Sequence, residues 1–139
     1  MATVYQFPEP TRPEPPEPRL REAIRSSGLG VITTWLEKHR GARAKMRIRV
    51  QNMRKILRIE WSENYFKAIR NGDGLYEVRW QFQNKQFRAG GFDSGGYFIL
   101  VVGFTHKDHV YDPPDWLETG KRRMREVKRG ERQHIPFEP

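Results

Sequence analysis

Apolar and polar residues alternate most cleanly between Tyr76 and Phe82. Tyr76, Val78, Trp80 and Phe82 share one side, and Glu77, Arg79 and Gln81 share the other. A period of two is that of a half-buried strand. Gln83-Asn84 offers a turn, Lys85 to Phe92 a second strand, and Asp93-Ser94-Gly95-Gly96 a clearer turn. Tyr97 to Val102 is apolar throughout, as suits a strand covered on both faces. A helical period of three to four appears twice. Ala42, Met46, Val50, Met53 and Leu57 form one stripe, and Trp116, Leu117, Met124 and Val127 another. Val31, Trp35 and Leu36 give a further helix an apolar edge, with Gly41 as its breaker.

These elements predict an α+β fold. A helical hairpin (31–57) packs on a small twisted antiparallel sheet, a meander of three strands, and a C-terminal helix follows. Val4 to Phe7 would add a fourth, N-terminal edge strand. Prolines and glutamates fill Pro8 to Pro18, a composition that favours polyproline II and forbids helix. Pro13-Glu14-Pro15-Pro16 carries a PxxP spacing, open to reading as a docking motif or as a semi-rigid linker. Arg19 to Ser27 reads as a short helix stopped at Gly28. Residues 1–27 are thus an N-terminal segment, 28–130 the domain, and 131–139 a flexible tail. The stretch 58–72 reads as a connector whose Ile59, Trp61, Tyr65 and Phe66 pack under the sheet.

Register converts the meander into a candidate site. With Gln83-Asn84 as a two-residue loop, Phe82 pairs with Lys85, Arg79 with Arg88, and Glu77 with Gly90, where the missing side chain leaves open space. Two like charges directly opposite destabilise a hairpin, so an anion is a natural occupant of the space between them. Equally, Arg79 can pair with Glu77, and Arg88 with a carboxylate elsewhere. Beyond the third strand, His106, Lys107, His109 and Tyr111 form an acid–base group. His106 and His109 have a metal-like spacing but lack an obvious third ligand.

The 139 residues carry 26 Lys+Arg against 17 Asp+Glu, a net charge of +9. That balance fits nucleic acid or an acidic protein partner. From Lys38 to Arg58 every charged side chain is basic, including Lys45, Arg47, Arg49 and Arg54. Lys85, Lys121, Arg122 and Arg125 extend the candidate RNA-binding set. A solvated face is the plainer explanation of such a run; without alternating acids, phosphate is the better one. There is no cysteine, which excludes disulfides and thiolate zinc sites. No apolar run is long enough for a membrane span and no signal pattern opens the chain, so a soluble cytoplasmic protein is expected.

Gly74-Leu75-Tyr76-Glu77-Val78-Arg79, Lys85-Gln86-Phe87-Arg88 and Gly103-Phe104-Thr105-His106-Lys107 followed by Pro113 resemble, in order and spacing, the RelE/ParE/HigB superfamily of bacterial toxins. The likeness is greatest to its HigB-like, phage-derived branch and covers roughly residues 31 to 129. The resemblance implies a type II toxin, a ribosome-dependent mRNA endonuclease restrained by an acidic antitoxin and acting on mRNA beside ribosomal RNA. Such enzymes drive the ribose 2′-hydroxyl onto the adjacent phosphate, with no metal, small-molecule cofactor or membrane involved. Arg88 then falls where the family steadies the phosphate, and Arg79 at a basic position on the preceding strand. His106 and Lys107 match basic residues after the third strand, and Tyr111 a substrate-stacking tyrosine. Glu77 departs from the lysine of the best-known RelE proteins. Ala89-Gly90-Gly91 replaces bulky apolar residues, which leaves local strand packing open. Two other functions are compatible with the sequence: inhibition by binding alone, as ParE-like members inhibit DNA gyrase, and a non-catalytic basic RNA-binding module.

Overall fold

The computed structural model describes residues 19–139; Val4–Phe7 and the proline-rich segment 8–18 lie outside them. Among the described residues, three α-helices and a seven-stranded open sheet make up a mixed α/β architecture. The strands are β1 (Arg19–Ala23), β2 (Phe66–Ala68), β3 (Tyr76–Phe82), β4 (Lys85–Ser94), β5 (Tyr97–Lys107), β6 (Val110–Asp112) and β7 (His134–Pro136). The helices are α1 (Val31–Leu36), α2 (Arg40–Met53) and α3 (Trp116–Lys128). Sheet order is β2-β3-β4-β5-β1-β7, with β6 also on β5. Every pairing is antiparallel except β1 with β5.

The meander β3-β4-β5 forms the middle of this sheet, with the predicted register: Phe82 opposes Lys85, Arg79 opposes Arg88, and Glu77 opposes Gly90. Gln83 and Asn84 both take positive φ, 51° and 64°. This is the primed turn whose twist matches two flanking strands, here made without glycine. Strand β5 is buried from Phe98 to Thr105 and carries the core on both faces. Alternation along the strands then sorts the layers. Trp80 and Gly103 face α2 and α1: the Trp80 indole donates to the Ala42 carbonyl at 3.0 Å, and a Cβ on Gly103 would lie 2.3 Å from the Trp35 ring. Arg79, Arg88 and Val102 face the opposite layer, where Gly120 brings α3 down onto Val102.

The sheet is larger than the sequence suggested, because non-local pairing recruits two ends of the chain. Residues 19–23 form a strand, not the expected helix. The free edge of β5 supplies hydrogen-bond partners that outweigh the local preference of Leu20, Arg21, Glu22 and Ala23. Residues 131–139 are no loose tail: β7 pairs with β1, and Phe137 is fully buried. The connector contributes β2, which pairs with β3 through Phe66 and Val78.

The region 31–57 is also differently arranged. α1 and α2 lie mainly on β5 and β3 respectively, and the chain breaks between Leu36 and Arg40. Gly41 lies inside α2, where a Cβ would meet the Phe82 ring at 2.2 Å; its role is close approach. The α2 stripe ends at Met53, which leaves Leu57 outside it. Among the described residues no helix is long and apolar enough to cross a membrane.

Candidate functional site

The face that carries Arg79 and Arg88 holds the candidate chemistry. Register places Gln86 opposite His106 and His106 opposite Tyr111, so the polar column of β3 and β4 continues onto β5 and β6. The arginine pair converges, as the alternation predicts. Between the two stands an internal anion: Glu77 Oε2 lies 3.3 Å from Arg79 Nε and 3.2 Å from Arg88 Nη1. Of the two pairings weighed from the sequence, Glu77 thus serves both arginines.

Glu77 is buried, at 8% exposure. Removal from water pushes its carboxyl pKa up, against the pull of Arg88, Arg79 and Lys67. The guanidiniums are not saturated by it. Arg88 Nε is buried and has no hydrogen-bond partner. The gap opposite Glu77 is not open, however. A Cβ on Gly90 would touch Val102 at 3.1 Å and Ile69 at 3.4 Å. On Gly91 it would lie 2.5 Å from the Ile99 carbonyl oxygen, so the glycines settle the packing of Ala89-Gly90-Gly91 by letting strands and side chains close over them.

His106 stacks on Tyr111 with ring centroids 4.3 Å apart and planes 4° from parallel. Its pKa is lowered, first by partial burial and then by the charges of Arg88 and His109, with Asp108 opposing. The imidazole is therefore held neutral and able to accept a proton at physiological pH. Tyr111 is 38% exposed and leaves a ring available to solvent. Trp116 completes the row: it stacks on Phe104 at 3.8 Å and lies 5.6 Å from Tyr111. Sequence reading placed Trp116 only in the buried stripe of α3. The signal that could have placed it here was Pro113-Pro114, which ends β6 and leaves Trp116 as the first residue of α3 directly behind it.

The remaining candidates scatter. Lys107 alternates away from His106, onto the other side of β5. Lys85 likewise shares a face with Phe87, not with Arg88. Across the sheet from the arginine pair, Arg47 on α2 and Arg54 just past its end donate to main-chain oxygens of Pro139 and Phe137, and Arg49 lies over the Tyr65 ring at 4.6 Å. Three of these four candidates are thus occupied in holding residues 137–139 and the Tyr65 ring, while Lys45 stays exposed. Lys121 is bound to the Asn71 carbonyl and Asp73, and Arg122 faces Glu126 at 3.9 Å. Arg125 is exposed. Among the described residues no group of three or more His, Asp or Glu side chains is placed to hold a metal ion.

No family model matches the chain, and no match was found among curated proteins or solved structures.

Proposed function

We propose that this chain is an mRNA endonuclease of the RelE/HigB toxin type, cutting single-stranded RNA on the ribosome and held in check by an acidic antitoxin. The observation that carries the reading is the cross-strand Arg79/Arg88 pair, with a spare buried N–H on Arg88, in one polar column with His106 and Tyr111. A guanidinium pair suits the charge that builds on a pentavalent phosphate. His106 takes the proton from the ribose 2′-hydroxyl, O2′ attacks phosphorus, and the P–O5′ bond breaks. The products are a 2′,3′-cyclic phosphate and a 5′-hydroxyl, whose proton comes from water at this open face. Tyr111, with Trp116 behind it, offers the aromatic surface on which unpaired bases stack.

Induced expression without a partner arrests bacterial growth on this reading, and primer extension finds cuts within translated mRNA. Arg88→Ala lowers cleavage by about 10²- to 10³-fold, the scale for removing one transition-state charge partner. Full growth arrest by that variant overturns catalysis. One observation favours inhibition by binding alone: Glu77 already occupies the space between the arginines. Intact mRNA with damaged DNA after induction would select that reading.

A further inference from the structure

The outer edge of β5 is paired twice, with β1 as far as Leu100 and with β6 from Thr105 onward. Between these pairings lies a cleft of about 420 Å³, bounded by α1 and α3, that the proposed nuclease chemistry does not use. Its lining is divided by charge. Arg25 lies near enough to Arg123 for their like charges to interact, and Asp112 is similarly placed to act on His39. Lys38 and the half-buried Trp35 complete the wall.

Arg123 is the unusual member. Its Nη1 donates to the Val101 carbonyl at 2.8 Å, within the unpaired stretch of β5, while its Nε is buried without a partner. Burial, and then the charges of Arg132, Arg122 and Arg25, lower its pKa to about 10. Glu126 alone opposes this, and it is itself bound to Arg132 at 2.7 Å. Among the described residues Arg25 and Lys38 make no ion pair. A half-buried guanidinium among like charges, with one N–H unused, has the chemistry of an anion site. Asp112 and Asp115 on the same wall disfavour a ligand that is anionic throughout.

We propose that the cleft binds a nucleoside monophosphate, with its single phosphate at Arg25 and Arg123 and its hydroxyl and amino groups toward Asp112. Trp35 gives the base an aromatic wall. The site stands apart from the Arg79/Arg88 column, so it holds or fails independently of the nuclease reading.

Titration of the full chain with 5′-AMP or 5′-GMP, followed by phosphorus NMR and tryptophan fluorescence, saturates with a Kd on the order of 10 µM to 1 mM. Arg123→Gln also removes the cap on Val101, so the exposed Arg25 supplies the cleaner variant. Arg25→Glu weakens binding by at least about tenfold, the loss expected from reversing a phosphate's charge partner, with an unchanged urea midpoint. Arg88→Ala keeps the affinity, which separates this site from the cleavage face. The proposal is overturned by absence of saturation, by adenosine binding as tightly as 5′-AMP, or by loss of binding in Arg88→Ala. Inorganic phosphate matching 5′-AMP would equally overturn the assignment of the nucleoside to Asp112 and Trp35.

Discussion

Two glutamates are buried among the described residues, and their surroundings differ in kind. Glu22, on β1, is 1% exposed and meets neutral donors: its Oε1 accepts from the Ile32 and Thr33 N–H groups at 2.8 Å, and its Oε2 from the Thr33 hydroxyl at 2.5 Å. It closes the start of α1, whose own N-cap, Gly30, has no side chain to do so. Gly30 is required there, because a Cβ would lie 2.1 Å from the Glu22 carboxyl carbon. Glu77 meets two cations through a single oxygen and leaves one buried guanidinium N–H idle. Burial raises the pKa of both. The difference lies in what each leaves over: the Glu22 corner has its donors satisfied, whereas beside Glu77 the Arg88 Nε stays without a partner. Burial of a carboxylate does not by itself mark a site; incomplete satisfaction of its partners does.

The comparison can be broken by truncation. Glu22→Ala strands three donors and destabilises the fold by about 3 kcal/mol in urea unfolding. Glu22→Gln keeps an oxygen for the two backbone N–H groups and an amide for the Thr33 hydroxyl, and costs under about 1 kcal/mol. At Glu77 one carboxylate serves two guanidiniums, so Ala, which leaves both without it, costs about 1–2 kcal/mol, reduced from a fully buried pair because Arg79 is 27% exposed. A Glu77→Ala variant as stable as the parent would show that the carboxylate is not what holds the arginines. Linkage gives a smaller effect with a definite sign. Both folded-state pKa values are raised, so the native state binds protons more tightly than the unfolded chain. Stability therefore falls as pH climbs from about 4.3 through the raised values. Glu22→Gln and Glu77→Gln each remove part of that fall.

The same contrast separates what the sequence made legible from what it hid. Register at Arg79 and Arg88 follows from local facts, a period of two and a two-residue turn, and these fix every cross-strand neighbour. The pairing of β1 with β5 has no local signature: Arg19–Ala23 is rich in helix formers, and its partner strand lies far along the chain. The tail was missed for the same reason, since only Phe137 is buried within it. Glycines misled in one direction. Gly41 and Gly90 read as a breaker and as open space, and both are sites of close packing. In the basic run from Lys38 to Arg58, charge alone does not reveal that Arg47 and Arg54 are spent on main-chain oxygens.

The smallest effect is a displacement on the pH axis, and it decides which group takes the 2′-hydroxyl proton. The Glu77 carboxyl is raised from its ordinary value by burial, and the His106 imidazole is lowered from the usual histidine value of about 6.5, because burial and Arg88 disfavour the imidazolium. Either group, acting as the base, would make cleavage rise with pH, so the wild-type profile alone does not distinguish them. Glu77→Gln does. With His106 as the base, the variant keeps a rising acid limb whose midpoint stays under about 6.5, since Glu77 is not among the causes of the imidazole's shift. His106→Gln abolishes the limb along with most of the rate. His109→Gln removes one like charge and moves the limb slightly upward, toward the unperturbed histidine value. A Glu77→Gln enzyme whose rate no longer depends on pH below neutrality would transfer the base to the carboxylate and leave His106 as a ring that only stacks on Tyr111.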